Sequence, residues 1–312
     1  MSETRRLYEA VIQQINDRYI YGNQPMLELL IISYLARGHV LIEGPPGTGK
    51  TKTAKLLAKL LAKDFKRIQF TSDLLPADII GAHIYSQKEA KFDFVPGPLF
   101  ADFVLADEIN RSPPRTQSAL LEAMEERQVT VEGKQFRLSP NFFVIATQNP
   151  QDLEGTFPLP EAQTDRFLLK ITIGHSTTEA ETAILKHALS GQPNSGEDLT
   201  PIDFDPDKIA AEVGAIKLDN SLMQYISRLL VATRKHPMLV WGASIRGGLA
   251  LANCARIAVA LQGRDFVAPD DIKRLVIPTL RHRISLSPEA QVSRQSETQI
   301  LRQIVESTEF PS

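Results

Sequence analysis

Gly44-Pro45-Pro46-Gly47-Thr48-Gly49-Lys50-Thr51 decides how the rest of the chain is read. It meets the pattern G-x-x-x-x-G-K-[ST] at every fixed position. Before it, His39-Val40-Leu41-Ile42-Glu43 is a short apolar run that reads as a strand. After it, from Lys52 to Lys63, Leu and Ala alternate with Lys at helical spacing. A strand feeding a glycine loop that opens a helix aims successive backbone N–H groups at one point. That point lies at the positive end of the helix dipole and suits a polyphosphate. Lys50 would reach the β- and γ-phosphates, and Thr51 would offer its hydroxyl to Mg²⁺.

The chain has 312 residues, a length that suggests about two domains. It is 43% apolar and 23% charged, as a soluble globular protein is. A formal net charge of −2 carries no global signature of nucleic-acid binding. The one cysteine, Cys254, allows no internal disulfide, and no Cys/His cluster suggests a metal site. Residues 1–6 lead into an amphipathic helix without the apolar run of a signal peptide. The longest apolar stretch, 26–35, contains Glu28 and is too short to span a bilayer. The expectation is a cytoplasmic protein.

Helices are expected over 7–15 and 24–36, punctuated by Gly22 and Gly38. Strand-like runs follow at 39–43, 67–70, 103–106, 142–146 and 168–173, with helices between them, notably 114–127. This alternation predicts an α/β domain over 1–173: a parallel five-stranded sheet with helices on both faces. Ligand would sit at the carboxyl ends of the strands, where the phosphate loop falls. Beyond Gly174 the pattern becomes helical, at 178–189, 206–216, 220–235, 243–261, 269–283 and 288–305. Residues 191–196 form a polar break. No comparable strand is evident there, so an all-α second domain is expected over 174–312. Two segments, about 82–96 and 128–138, alternate apolar and polar residues around a charged turn and read as hairpins. By pattern alone they decorate a sheet edge.

A phosphate loop binds nucleotide; hydrolysis needs more. The run Val104-Leu105-Ala106-Asp107-Glu108 ends a buried strand in two carboxylates. Asp107 there can orient the hydration shell of Mg²⁺, and Glu108 can polarise the attacking water. The run 144–150 ends its strand in Thr147-Gln148-Asn149, where Asn149, or second to it Thr147, can position the water or the γ-phosphate. Asn149-Pro150 reads equally as a turn starter. Arg281-His282-Arg283 reads as a solvated helix end.

With these stretches in hand, the chain resembles the AAA+ ATPases and, more narrowly, the MoxR family. The likeness rests on 44–51, 70–81, Gly97-Pro98-Leu99-Phe100, 105–111, 116–124, 146–150 and 158–167. It covers nearly the whole chain and is densest from about Val40 to Phe167. What it implies can be placed residue by residue. Gly44, Pro45, Pro46, Gly47, Thr48, Gly49, Lys50 and Thr51 match Walker A, and Asp107 and Glu108 match Walker B. Asn149 matches sensor 1. Arg166 matches the arginine finger, which reaches the nucleotide of a neighbouring subunit. Arg246 matches sensor 2 on a helical lid, although Ile245 and Gly247 depart from the commoner Pro and Ala beside it. That departure leaves open whether Arg246 serves its own subunit or a neighbour. The two hairpins match the helix-2 insert and the pre-sensor-1 hairpin, which implies that they face a central pore. Arg111 and Arg127 are candidates, by analogy, for sensing nucleotide between subunits.

The resemblance implies ATP bound with Mg²⁺ between core and lid, the metal held by Thr51 and, mainly through water, by Asp107. Glu108 would activate water, Arg166 would stabilise the transferring phosphoryl group, and hydrolysis would change the lid–core angle. It implies a hexameric ring with a chaperone-like role, a von Willebrand factor A domain protein as co-chaperone and a protein as client. Two other readings compete. A nucleic-acid motor has local support only in Lys88, Lys91 and Lys134, against an acidic net charge. A nucleotide-gated scaffold with little turnover runs against the set Asp107, Glu108, Asn149 and Arg166.

Overall fold

A computed structural model describes residues 1–19, 24–88, 90–149, 155–174, 177–189, 196 and 198–311. The expected breaks at Gly22 and at 191–195, and Pro150, lie outside the described residues. Two helices, α1 (Glu3–Tyr19) and α2 (Gln24–Leu35), precede β1 (Val40–Glu43) and α3 (Lys50–Leu60). Then come β2 (Phe65–Gln69), α4 (Pro76–Ile80), β3 (Gly81–Ser86), β4 (Lys91–Pro96), β5 (Phe103–Asp107) and α5 (Pro114–Glu126). The α/β half closes with β6 (Gln128–Val131), β7 (Lys134–Arg137), β8 (Phe143–Gln148), α6 (Glu161–Thr164) and β9 (Leu169–Thr172).

Five strands form one parallel sheet in the order β2-β5-β8-β1-β9, as the alternation predicts. Its two faces follow from the two-residue period of a strand. Val40, Ile42, Phe103, Leu105, Phe143 and Ile145 point into one apolar cluster, which α1, α2 and α3 cover. Leu41, Val104, Ala106, Val144 and Ala146 point into the other, which α4 and α5 cover.

Both expected hairpins form. In β6–β7 the turn is Glu132-Gly133, with φ of 50° and 80°, the two-residue turn whose twist matches that of the strands. The hairpins touch each other: Phe94 of β4 stacks on Phe136 of β7 at 4.2 Å, and His83 of β3 lies 3.2 Å from Glu132.

The second half contains α7 (Thr178–Leu189), α8 (Pro206–Ala215), α9 (Asn220–Lys235), β10 (Leu239–Trp241), α10 (Ile245–Leu261), α11 (Pro269–Leu280), β11 (Ser285–Leu286), α12 (Pro288–Val292) and α13 (Glu297–Ser307). Two details depart from the all-α expectation. The strands β10 and β11 pair antiparallel into a small ribbon. The helix expected over 288–305 is broken, because Arg294 adopts φ 54° and Ser296 caps a new helix by accepting the N–H of Gln299.

These helices do not hang free of the sheet. Leu222, Leu229, Leu251, Cys254 and Leu275 belong to the same continuous apolar cluster as the β1 and β5 side chains. Glu212 of α8 accepts the N–H groups of Glu3 and Thr4 at 2.7 and 2.9 Å, which ties α1 to the second half. Burial pushes the Cys254 thiol up to about 12. No helix among the described residues is long and apolar enough to cross a membrane.

Candidate functional site

The phosphate loop joins the carboxyl end of β1 to α3, and its geometry demands glycine at specific points. Gly49 precedes the helix with φ 82°, a left-handed conformation that side chains resist. At Gly44 a Cβ would stand 2.7 Å from the carbonyl oxygen of Ile173, so only glycine lets the loop pass the end of β9. Pro46 to Lys52, Arg67, Asp107, Glu108, Thr147, Gln148 and Asn149 line one cavity of about 410 Å³ there. All of them come from the α/β half; the lid contributes none of this lining.

Within it Lys50 Nζ donates to the carbonyls of Gly44 and Pro45, at 2.7 and 2.9 Å. Burial lowers its pKa, while Asp107 and Glu108 pull it the other way. The two carboxylates end β5 differently. Asp107 continues the strand. Glu108 turns off it at φ 57°, in the left-handed region, a conformation that costs about 1–3 kcal/mol and that its surroundings must impose.

Thr147 supplies that constraint. Its Oγ1 donates to Asp107 Oδ1 at 2.5 Å and accepts the Glu108 N–H at 2.9 Å. Arg67 Nε and Nη2 reach Asp107 Oδ2 at 3.0 and 2.7 Å. Gln69 and Arg111 both donate to Glu108 Oε2, at 3.0 and 3.1 Å. Arg67 and Gln69 escape a reading of the sequence. Their signal is slight: two polar residues at strand spacing on either side of buried Ile68, on the strand next to the acidic pair.

The donor set fits Mg²⁺. Thr51 and Asp107 present hard oxygens to the same cavity. Mg²⁺ binds through one or two carboxylates plus phosphate and water rather than through an all-protein cage. Among the described residues no group of three His, Cys, Asp or Glu could hold a metal ion.

Arg166 and Arg246 lie elsewhere. Arg166 precedes β9, whose Leu169 pairs with Val40, the first residue of β1; the phosphate loop follows Glu43, the last. The two ends of β1 are therefore about 10 Å apart along the strand. Arg166 and Arg246 meet on Glu125, at 3.1 and 3.2 Å, and Arg246 also reaches Asp165 at 3.5 Å. Arg37, Arg127 and Arg283 line the same cavity.

The reading of 281–283 as a solvated helix end is corrected here. His282 is buried and the side chain of Arg283 is 3% exposed, because they hold the segment that carries Arg166. Arg283 Nε binds Asp165 Oδ1 at 2.7 Å, its Nη2 donates to the Phe167 carbonyl at 2.8 Å, and His282 Nε2 donates to the same carbonyl at 2.9 Å. Burial beside Arg283 holds the pKa of His282 well below its ordinary value. Of the other arginines, Arg111 rests on Glu108, whereas Arg127 donates to the backbone carbonyls of Phe142 and Arg37.

Residues 39–169 match the ATPase family associated with various cellular activities (AAA), and residues 231–304 match the AAA lid domain. The chain is 45% identical to YeaC, an uncharacterized protein of Bacillus subtilis, over 98% of this chain and 95% of that one. It is 39% identical to Chaperone MoxR1 of Mycobacterium tuberculosis over 99% of this chain and 84% of that one. A crystal structure of a Cytophaga hutchinsonii protein assigned as an ATPase aligns with a TM-score of 0.90 at 36% identity, covering 99% of this chain and 97% of that one.

Proposed function

This chain belongs to the MoxR family of AAA+ ATPases, and we propose that it hydrolyses ATP with Mg²⁺ at a site shared between two copies. The observation that carries the proposal is the division of the candidate site residues between two cavities. Lys50, Thr51, Asp107, Glu108 and Asn149 gather in one cavity at the carboxyl ends of the strands. Arg166 and Arg246 gather at the amino ends, out of reach of their own phosphate loop.

Lys50 would exchange its two loop carbonyls for phosphate oxygens, and the N–H groups of the loop would hold the β-phosphate. Thr51 and, through water, Asp107 would hold Mg²⁺, which supplies neutralisation of charge on the β- and γ-oxygens. Glu108 polarises the attacking water and takes its proton, with Oε1 left for that task while Gln69 and Arg111 hold Oε2. Asn149 orients the γ-phosphate or the water. Arg166 and Arg246 from the neighbour meet the developing charge, a role worth roughly 10³–10⁵ in rate in other phosphoryl-transfer enzymes.

The resulting assembly is a ring, which we take to be hexameric, working in the cytoplasm on a protein client with a von Willebrand factor A domain partner. Its chaperone-like character is supported by the likeness to Chaperone MoxR1. Glu108→Gln should bind ATP and barely turn it over. Mixed with Arg166→Ala it should recover part of the lost activity, since some sites in mixed assemblies then have both an intact glutamate and an intact arginine. Turnover in Glu108→Gln equal to that of the unmodified protein places the base elsewhere. Absence of recovery in mixed rings removes the shared site.

A further inference from the structure

A further cavity, of about 320 Å³, opens between the two halves of the chain. The end of α2 and the start of β8 supply lining from the first half, and α8 and α10 supply it from the second. It lies at the amino ends of the sheet strands, where Phe143 opens β8, and shares no residue with the phosphate-loop cavity. Its volume falls in the range of small-molecule sites.

The lining is amphipathic. Leu35, Phe143, Phe204, Ile209, Val213 and Ile257 give it an apolar part, while its charges are of one sign: Arg37, Arg127 and Arg256 are present, and no aspartate or glutamate is. Among the described residues none of these arginines forms an ion pair. Backbone holds two of them instead. Arg127 donates to the carbonyls of Phe142 and Arg37, and Arg256 to those of Gly214 and Ile216. Carbonyls fix the direction of a guanidinium but leave its charge uncompensated, free to meet a carboxylate or phosphate. These ties explain why Arg127 and Arg256 are half-buried and leave the missing counter-charge unexplained. Asp102, whose charge acts on Tyr34 of the same lining, is itself held by Ser139 and the Asp64 N–H.

Arg37 and Arg127 also oppose each other. Burial, then the charge of Arg37, lowers the pKa of Arg127. Both stand in left-handed backbone just past the ends of α2 and α5, at φ 54° and 51°, where glycine is the usual residue. Two like charges set side by side on strained backbone, beside an apolar hollow, are the arrangement an anion would relieve.

We propose that this cavity binds a small organic anion, its carboxylate or phosphate head between Arg37 and Arg127 and its apolar body against Phe143, Ile209 and Ile257. The lining selects that class. Three uncompensated arginines repel a cation, and the apolar part gains nothing from an inorganic ion. An occupant would touch both halves of the chain, and binding to the folded protein alone would stabilise it.

Octanoate and octyl phosphate put the two heads on one body, octanol offers the body alone, and inorganic phosphate the head alone. Titration calorimetry with ADP present throughout, to fill the phosphate loop, compares the four. Both octyl anions should bind at one site with Kd below about 1 mM, and octanol and inorganic phosphate at least about tenfold more weakly. At roughly tenfold its Kd, each octyl anion should raise Tm by about 2 °C. Ala210, exposed on α8 in the lining, allows the cavity to be filled. Ala210→Trp should abolish binding of both anions and melt as the unmodified protein does in their absence. Arg37→Glu should weaken both anions at least about tenfold and leave octanol unchanged. Octanol binding as tightly as octanoate overturns the proposal. So does absence of binding by both anions, or undiminished binding in Ala210→Trp or Arg37→Glu.

Discussion

Thr147 ties the acidic pair together through one hydroxyl, donating to Asp107 and accepting from the Glu108 N–H. Valine would keep the shape and lose both bonds. Hydrogen bonds to charged groups contribute about 1.5–3 kcal/mol. Thr147→Val should therefore lower turnover by roughly 10- to 100-fold while ATP binding persists, and Thr147→Ser should retain most activity; steady-state turnover beside equilibrium ATP binding checks both. His39 offers a test of stability. Its Nδ1 accepts the Val144 N–H and its Nε2 donates to the Met124 carbonyl, so the buried ring is neutral. Burial, then Arg127, lowers its pKa from 6.5 to about 3. The folded value lies below the unfolded one, so protons bind the unfolded chain first. Stability is full above the unfolded value and falls as pH drops from there towards 3. By pH 5 this histidine alone should cost about 2 kcal/mol relative to pH 8. Urea unfolding at the two pH values checks it, and in His39→Asn the difference should shrink by that amount.

Among the elements, the two hairpins act as a pair because Phe94 and Phe136 stack between them. Such pairs contribute about 0.5–1.5 kcal/mol beyond burial. A double-mutant cycle of Phe94→Leu and Phe136→Leu on stability should return a coupling of that size, and amide exchange in β3 and β4 should quicken in Phe136→Leu. The hairpins themselves were legible from period-two patterning around charged turns, whereas their contact was not, since nothing local in a sequence pairs residues 94 and 136. The same limit explains the other differences. Four of the five sheet strands announce themselves by apolar runs, β2 carries only Phe65 and Ile68 among polar residues, and β10 and β11, of three and two residues, are too short to show a period. The break before α13 did carry a local sign, Ser296 followed three residues later by Gln299. Arg67, Gln69, His282 and Arg283 look like surface residues because their partners lie on distant segments. The phosphate loop and the acidic pair were readable because their chemistry sits in consecutive residues.

At the scale of the whole molecule, one apolar cluster runs from the sheet into the second half, with α1 and α2 packed against α8 and α10. The lid helices therefore hold the segment that carries Arg166 through His282 and Arg283, at the end of the sheet away from the phosphate loop. Movement of the lid relative to the sheet would disturb that shared packing, which favours passing a signal between copies over opening a hinge within one. The packing also encloses Cys254, whose thiol is fully buried and raised to about 12. Thiolate is the reactive form, so a thiol-specific reagent should give no signal with the folded protein and one equivalent after denaturation. The native chain thus behaves as a cysteine-free background. A single cysteine introduced on the β3–β4 hairpin, or beside Trp241, would take a fluorophore or spin label at one chosen position, so distances across an assembly can be measured without first removing a natural thiol.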